Sequence, residues 1–367
     1  MSSDTDTETD TETETETGTD AGTAMDIETQ QAALDELHDS SERTDRADTG
    51  GDRDGDRPVL RARFEHNGSP RYMLYTIKRF GFDHDHGFHL DVELVSDELE
   101  DGLETVEAKL HGGDADLIDI DYISTARERA NGAPIVAFHP YGRTVGGLVV
   151  PEESPIEDIS DLPGHRVGVV RRLDKNWILT RAACREFHGF DPEDEATSVE
   201  AGSKVGLTRM LRDGDIDAAL QFWQIIPEIV ETGPYREAVP MADLVQQLSG
   251  VEQTLPISTF LTSEDYLAEN PNAVSGFKRA YADAVEQLQT DDGLWDELGD
   301  QLMYENDPTV VHGIRDHWRE MVVTDWDGET VDAMERLFDH LLDVAGPETL
   351  GVDHIPDDLF RLEVSSR

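Results

Sequence analysis

Basic residues are scarce in this chain. Of its 367 residues only 30 are Lys or Arg, against 81 Asp or Glu, and the formal net charge is -51. Such a surface repels nucleic-acid phosphates and anionic lipid, so neither is an expected partner. Cysteine is scarcer still. Cys184 stands alone, which excludes an intrachain disulfide and any CxxC metal cluster. No run approaches the ~18 apolar residues of a membrane span, so no inserted segment is expected. The first residues also lack a basic stretch leading into an apolar one, a twin arginine and a lipid-acceptor cysteine. Read as it stands, the chain is expected in the cytoplasm. A true start further upstream, encoding an export signal, would place it outside the cell or at the membrane.

What is abundant is acid. Residues 1–57 hold 19 acids and 4 bases, and the other 310 residues hold 62 and 26. Acidity therefore coats the folded part as well as the N-terminus. It is the pattern expected of a salt-adapted, halophilic protein, in which screening over a few Å removes most self-repulsion. Alternating Thr and Asp/Glu in "TDTETDTETETETGTD" buries nothing, so residues 1–57 are expected to form a disordered acidic tail. Only "MDIETQQAALDELHDSS" offers a short helix there, with a small apolar face.

From Pro58 the texture changes. "VLRARFEHN" reads as a strand and "SPRYMLYTIKRFGF" as a helix with Pro70 in its first turn. "HLDVELV" alternates as a strand does, "LEDGLETVEAKLHGG" is amphipathic, and "ADLIDIDYI" is again a strand. "STARERANG" reads as a helix capped by Ser124. The α/β alternation restarts at "ISDLPGHRVGVVR". "VEAKLHGGDADLIDI" and "LTRMLRDGDIDAALQ" each place a helix before G-D-x-D and run on into a strand, a weak internal repeat at corresponding places. Two α/β lobes are the expected architecture, and the chain turns helical after "LPISTFLTSEDYL". A ligand cleft is expected between the lobes, at the carboxyl ends of strands and at helix starts.

The stretch "DLPGHRVGVVRRLDKNWILTRAACREFHGFDPEDE" resembles the opening of the second lobe in solute-binding proteins of ABC importers, of the nitrate/sulfonate/taurine branch that also contains binders and makers of the thiamine pyrimidine. "LRDGDIDAALQFWQIIPEI", "LTSEDYLAENPNAVSGFKRAYADAVE" and "GGDADLIDIDYISTARERANGAPIVAF" are similar to further segments of that family, so the resemblance covers roughly residues 59–345. It implies the two-lobe type II periplasmic-binding-protein fold and a small-molecule ligand, with an ABC permease as partner, a monomeric state and no cofactor. The lobes are then expected at 58–150 together with 256–367, and at 151–255. Hinge crossovers are expected near "GGLVV" and "LPISTF".

Candidate ligand contacts follow from the turns. Asn67 and Ser69 lie where the first strand gives way to a helix. Tyr122 and Ser124 open the helix of the first-lobe repeat. Arg171, Arg172, Lys175 and Asn176 follow the second lobe's first strand, and Gln221 and Trp223 follow "GDIDA". Residues 162–185 carry six bases against the single acid Asp174, so an anionic or strongly hydrogen-bonding ligand is expected there. The alternative is a cytosolic enzyme or ligand sensor of the same fold. On the resemblance, the lysine and histidine of the thiamine-pyrimidine synthase fall at Ile120 and Ser124, so that chemistry does not carry over. Three histidines crowd "GFDHDHGFHLDVEL". His84 and His86 would point the same way in an extended run, yet the segment is read as a surface connection and no metal is assigned to it.

Overall fold

The computed structural model describes residues 27–48, 57–97, 99–100, 103–143, 146–251 and 255–363. Strand β1 (Val59–Glu65) turns Leu60, Ala62 and Phe64 inward, the period-two pattern of a strand. Helix Pro70–Phe80 follows, with proline at its start and Gly81 in the left-handed region at its end. Strand β2 (His89–Val95) then pairs in parallel with β1. A small hairpin, β3 (Leu99–Glu100) and β4 (Leu103–Glu104), leads into helix Thr105–Gly112 and β5 (Ile118–Asp121). Helix Tyr122–Ala130 and β6 (Ile135–Gly142) complete the first series.

The chain then crosses over. Strand β7 (Gly147–Pro151) belongs to a second sheet with β8 (Arg166–Val169), β9 (Thr197–Glu200), β10 (Ala218–Gln221) and β11 (Tyr235–Pro240). Strand β12 (Ser258–Ser263) returns to the first sheet. With β1 and β5 joined through the Ala62–Leu117 bridge, the first sheet runs β2-β1-β5-β12-β6 and the second β9-β8-β10-β7-β11. The two orders are equivalent. In each, the fourth strand comes from chain that has just left the other lobe and runs antiparallel to its neighbours. Gly146 makes the first crossing: its φ is +146°, and a Cβ there would lie 1.7 Å from the Gln221 carbonyl oxygen.

The G-D-x-D repeat has a physical cause. Its second aspartate clamps an arginine on β1 in one sheet and on β8 in the other. Asp116 accepts from the Arg61 backbone N–H and from its guanidinium at 2.6 and 2.8 Å. Asp217 does the same for Arg166, at 2.6 and 3.2 Å. Strand β5 is thereby tied to β1, and β10 to β8.

Two parts of the chain sit differently from the sequence-based expectation. Residues 27–48, inside the segment expected to be a disordered tail with at most one short helix, form a longer helix in which Gln30 and Leu34 are buried. Gln31 Nε2 donates to the Val92 carbonyl at 2.9 Å, and its Oε1 accepts from the Leu94 N–H at 2.8 Å. The side-chain amide thus satisfies the open edge of β2, a function no count of apolar residues reveals. The remaining residues of the expected tail, 1–26 and 49–56, lie outside the described residues. At the other end, helices Pro271–Thr290, Asp292–Leu302 and Pro308–Met321 pack into the core of the first lobe. Helix Gly328–Ala345, grouped with that lobe on sequence, instead packs Met334, Leu337 and Phe338 among Trp177 and Leu244 of the second.

Candidate ligand-binding cleft

A cavity of about 460 Å³ opens between the lobes. Its walls come from the carboxyl ends of β1, β5, β8 and β10, the place where open α/β sheets bind ligands. Gly68 and Ser69 follow β1, Asp121 and Ser124 follow β5, Val170 to Lys175 follow β8, and Phe222 to Gln224 follow β10.

The expected contacts divide into two groups. Ser69, Ser124, Arg171, Arg172, Lys175 and Trp223 line the cavity; Asn67, Tyr122, Asn176 and Gln221 do not. Tyr122 is fully buried and donates its hydroxyl to the Met334 carbonyl at 3.3 Å. Its helix begins one turn earlier than expected because Asp121, not Ser124, is the cap, accepting from the Ser124 N–H at 2.9 Å. Asn176 is buried behind the wall, with its N–H on Asp174. Gln221 turns inward to Thr208. Asn67 accepts from Lys204 and, through its carbonyl, from Gln224.

The base cluster of residues 162–185 is largely engaged. Arg166 is held by Asp217, while Arg181 and Arg185 both hold Asp191. Arg172 pairs with Glu193 and Glu200. Arg171 donates to the Asp97 carbonyl at 2.6 Å. Lys175 lies 4.4 Å from the centre of the Phe222 ring. Counted over the whole lining, eight carboxylates face five cationic side chains. Net charge therefore does not make this cleft an anion trap; only local placement can.

Several residues that shape the cleft went unnoticed in the sequence. Lys204, at the start of helix Lys204–Arg212, reaches from the second lobe to Glu65 and to Asn67 of the first. Its backbone N–H donates to Asp97 Oδ2 at 3.0 Å. Burial alone would push the Asp97 carboxyl up, but the Lys204 charge and N–H together with Asn67 hold it below the usual carboxylate range. Asp174, capping helix Lys175–Ala183, is pushed up by burial, against the opposing pull of Lys175. Arg127 crosses in the other direction, donating to the Leu173 carbonyl at 3.1 Å. On the first-lobe wall, Tyr141 donates to Ser69 Oγ at 2.9 Å, and burial raises its hydroxyl pKa well above the ordinary value. The one local sign of Lys204 was the Gly-Ser before it, a helix-capping pattern. Its partners lie over a hundred residues away in the chain.

Residues 73–291 match the family model described as NMT1/THI5 like. The chain belongs to that family. No curated protein matches it in sequence. Among solved structures, this NMT1/THI5-like protein is similar to the periplasmic aliphatic sulphonate binding protein SsuA from Escherichia coli, at 17% identity and a TM-score of 0.63 over 82% of this chain and 90% of that one. It is also similar to the alkanesulfonate-binding protein SsuA from Xanthomonas axonopodis pv. citri bound to MOPS, at 17% identity and 0.66 over 83% and 98%. The desulfurization enzyme DSZB matches at 18% identity and 0.53 over 83% and 98%. At these identities the likeness is one of fold, and that fold is the periplasmic-binding-protein fold.

Proposed function

We propose that this protein is the solute-binding component of an ABC importer, and that it holds a small organic solute with an anionic group in the interlobe cleft. The observation that carries the reading is the division of one cavity between two lobes that each own half of its wall and touch directly across it. Lys204, Arg171 and Gln224 reach from the second lobe, and Arg127 from the first. Such a site encloses its ligand when the lobes close and releases it when they part about the β7 and β12 crossovers. Lys175 and Arg171 are the groups proposed to meet the anionic head. Phe222 and Trp223 are proposed to face the body of the ligand. The SsuA neighbours, named for sulfonates, make sulfonates the first class to screen.

An enzyme of the same fold is the second reading, favoured by the DSZB likeness. The described residues that line the cleft include no cysteine or histidine, and of its serines Ser69 contacts Tyr141 and Ser124 contacts Asp121. That inventory suits recognition better than covalent chemistry.

A thermal-shift screen of sulfonates, carboxylates and thiamine-precursor pyrimidines in molar KCl tests both readings. A ligand at ~100 times its Kd adds about 2.7 kcal/mol. Lys175→Gln or Arg171→Gln should then weaken binding of the hit by about 1.5–3 kcal/mol. If no compound of these classes shifts melting, or both variants bind like the parent, the anionic-solute reading is wrong. Recovery of a chemically altered ligand after stoichiometric incubation would favour the enzyme.

A further inference from the structure

The connection between helix Pro70–Phe80 and β2 holds a second cluster of chemistry-bearing residues, remote from the cleft. It lies at the start of β2, whereas the cleft residue Asp97 lies beyond its end. One strand length separates them, roughly 20 Å at ~3.3 Å per residue. Here the chain makes a single helical turn, Phe82–Asp85, bends at Gly87 with φ +80°, and enters β2 at His89. This turn brings together His84 and His89, not the His84 and His86 that an extended run would pair. His86 is committed elsewhere. Its Nε2 lies 2.6 Å from Asp283 Oδ2, and its Nδ1 accepts from Arg279 Nε at 3.3 Å, which pins the loop to helix Pro271–Thr290.

His84 Nε2 and His89 Nδ1 are 3.4 Å apart. That is long for an N–H···N hydrogen bond. It is also the separation of two ligands on a tetrahedral ion with bonds of ~2.1 Å, which is about 3.4 Å. Asp83 supplies a carboxylate, with Oδ2 3.9 Å from His84 Nε2. One ligand atom from each of Asp83, His84 and His89 falls within 4.8 Å of the other two. Asp83 is fully buried. Its Oδ2 accepts from Lys78 Nζ and from the Leu90 N–H, both at 2.9 Å, while its Oδ1 meets no hydrogen-bond donor. A buried carboxylate oxygen without a donor is costly unless something positive completes it.

We propose that Asp83, His84 and His89 bind one divalent cation of the zinc type, with Co2+ and Ni2+ as close substitutes. Two imidazoles select such a borderline-soft ion over Mg2+ or Ca2+, which prefer an all-oxygen shell. Asp83 completes the set through its carboxylate, and Lys78, donating to Oδ2, orients that carboxylate as groups behind a metal's direct ligands commonly do. The ion ties the one-turn helix to the first residue of β2 and so locks the connection that closes the first α/β unit. Its role is structural and separate from solute binding in the cleft.

The test uses the full chain, stripped with a chelator and titrated with Co2+ in the presence of excess Mg2+, which saturates loose sites on the acidic surface. One equivalent of Co2+ should produce a visible d–d absorption band that Zn2+ abolishes by displacement. His84→Gln and His89→Gln should each weaken Co2+ binding by at least ~100-fold, the scale at which loss of a direct ligand exceeds loss of a supporting group. His86→Gln should leave the titration unchanged. A parent protein with no saturable band at one equivalent would overturn the proposal without any variant. So would an undiminished band in a folded His84→Gln/His89→Gln double variant.

Discussion

Lys204→Met tests how the lobes are held together. The Lys204 side chain is 6% exposed and that of its partner Glu65 18%, while Asp97, which accepts from the Lys204 backbone, is 5% exposed. Methionine keeps the length and apolar stem but removes the charge. Breaking a buried pair from one side costs about 3–5 kcal/mol, because the surviving charge stays buried. The partial exposure of Glu65 lets water reach that carboxylate, so the lower end, about 3 kcal/mol at neutral pH, is expected. The loss should depend on pH in a defined direction. In the parent, the Asp97 carboxyl is held below its ordinary value, so its contribution to stability is present above about pH 4 and is lost as pH falls through the depressed folded value. In Lys204→Met the backbone N–H and Asn67 remain but the ammonium's opposition to burial is gone, so the Asp97 pKa rises and the variant is penalised at neutral pH where the carboxylate is ionised. The gap between parent and variant should therefore widen from pH 3 to pH 6, and adding Asp97→Asn should narrow it. Urea unfolding across that range gives the energies. Small-angle scattering shows whether the loss appears as lobe opening, through a larger radius of gyration. A variant within ~0.5 kcal/mol of the parent, the scatter of ordinary surface substitutions, and with the same radius would refute the reasoning.

Other outcomes follow from the same structure. Leu34→Ala should cost about 2–4 kcal/mol as a buried large-to-small change, and deleting residues 1–57 should destabilise the chain, whereas removing residues 1–26 alone leaves the docked helix in place; urea unfolding of the three proteins decides. Asp116→Ala should cost about 1.5–3 kcal/mol by releasing Arg61 from the clamp between β1 and β5, and an unchanged unfolding midpoint would contradict that role. His139 is buried with Nδ1 2.7 Å from the Pro140 carbonyl, and burial lowers its pKa to about 3. Its folded value lies below its unfolded value, so stability should fall as pH drops below ~6.5, by about 1.4 kcal/mol per unit. Comparison with His139→Gln isolates this slope, and equal pH dependence in the two proteins would count against it.

Much of the architecture was legible because it is written in short-range patterns. The period-two alternation of β1 and β2, the proline that opens helix Pro70–Phe80 and the paired G-D-x-D turns each act within a few residues. The repeat carried more than it disclosed. Its second aspartate is an arginine clamp, visible only when Arg61 and Arg166 are brought beside Asp116 and Asp217. A short helix was readable in "MDIETQQAALDELHDSS", but the docking of Ile27–Asp48 was missed for a related reason. Composition measures apolar burial, and Gln31 contributes two hydrogen bonds to a strand edge instead.

The cleft shows the same division. Which turns face it was readable, since strand ends and helix starts are local, and Ser69, Ser124, Arg171, Arg172, Lys175 and Trp223 all reach the cavity. Which side chain of each turn points in was not readable. Tyr122 and Asn176 rotate into the core behind their neighbours, because a helix changes face with every residue. The sequence alone determined the two α/β halves, their strand ends and an acid excess spread over the whole chain. Only the tertiary structure decided that Lys204 bridges the lobes, that most of the basic cluster is engaged by acids, and that His84 meets His89 rather than His86. Each of these depends on residues brought together across a turn or from distant parts of the chain, where local propensity carries no information about who the partner is.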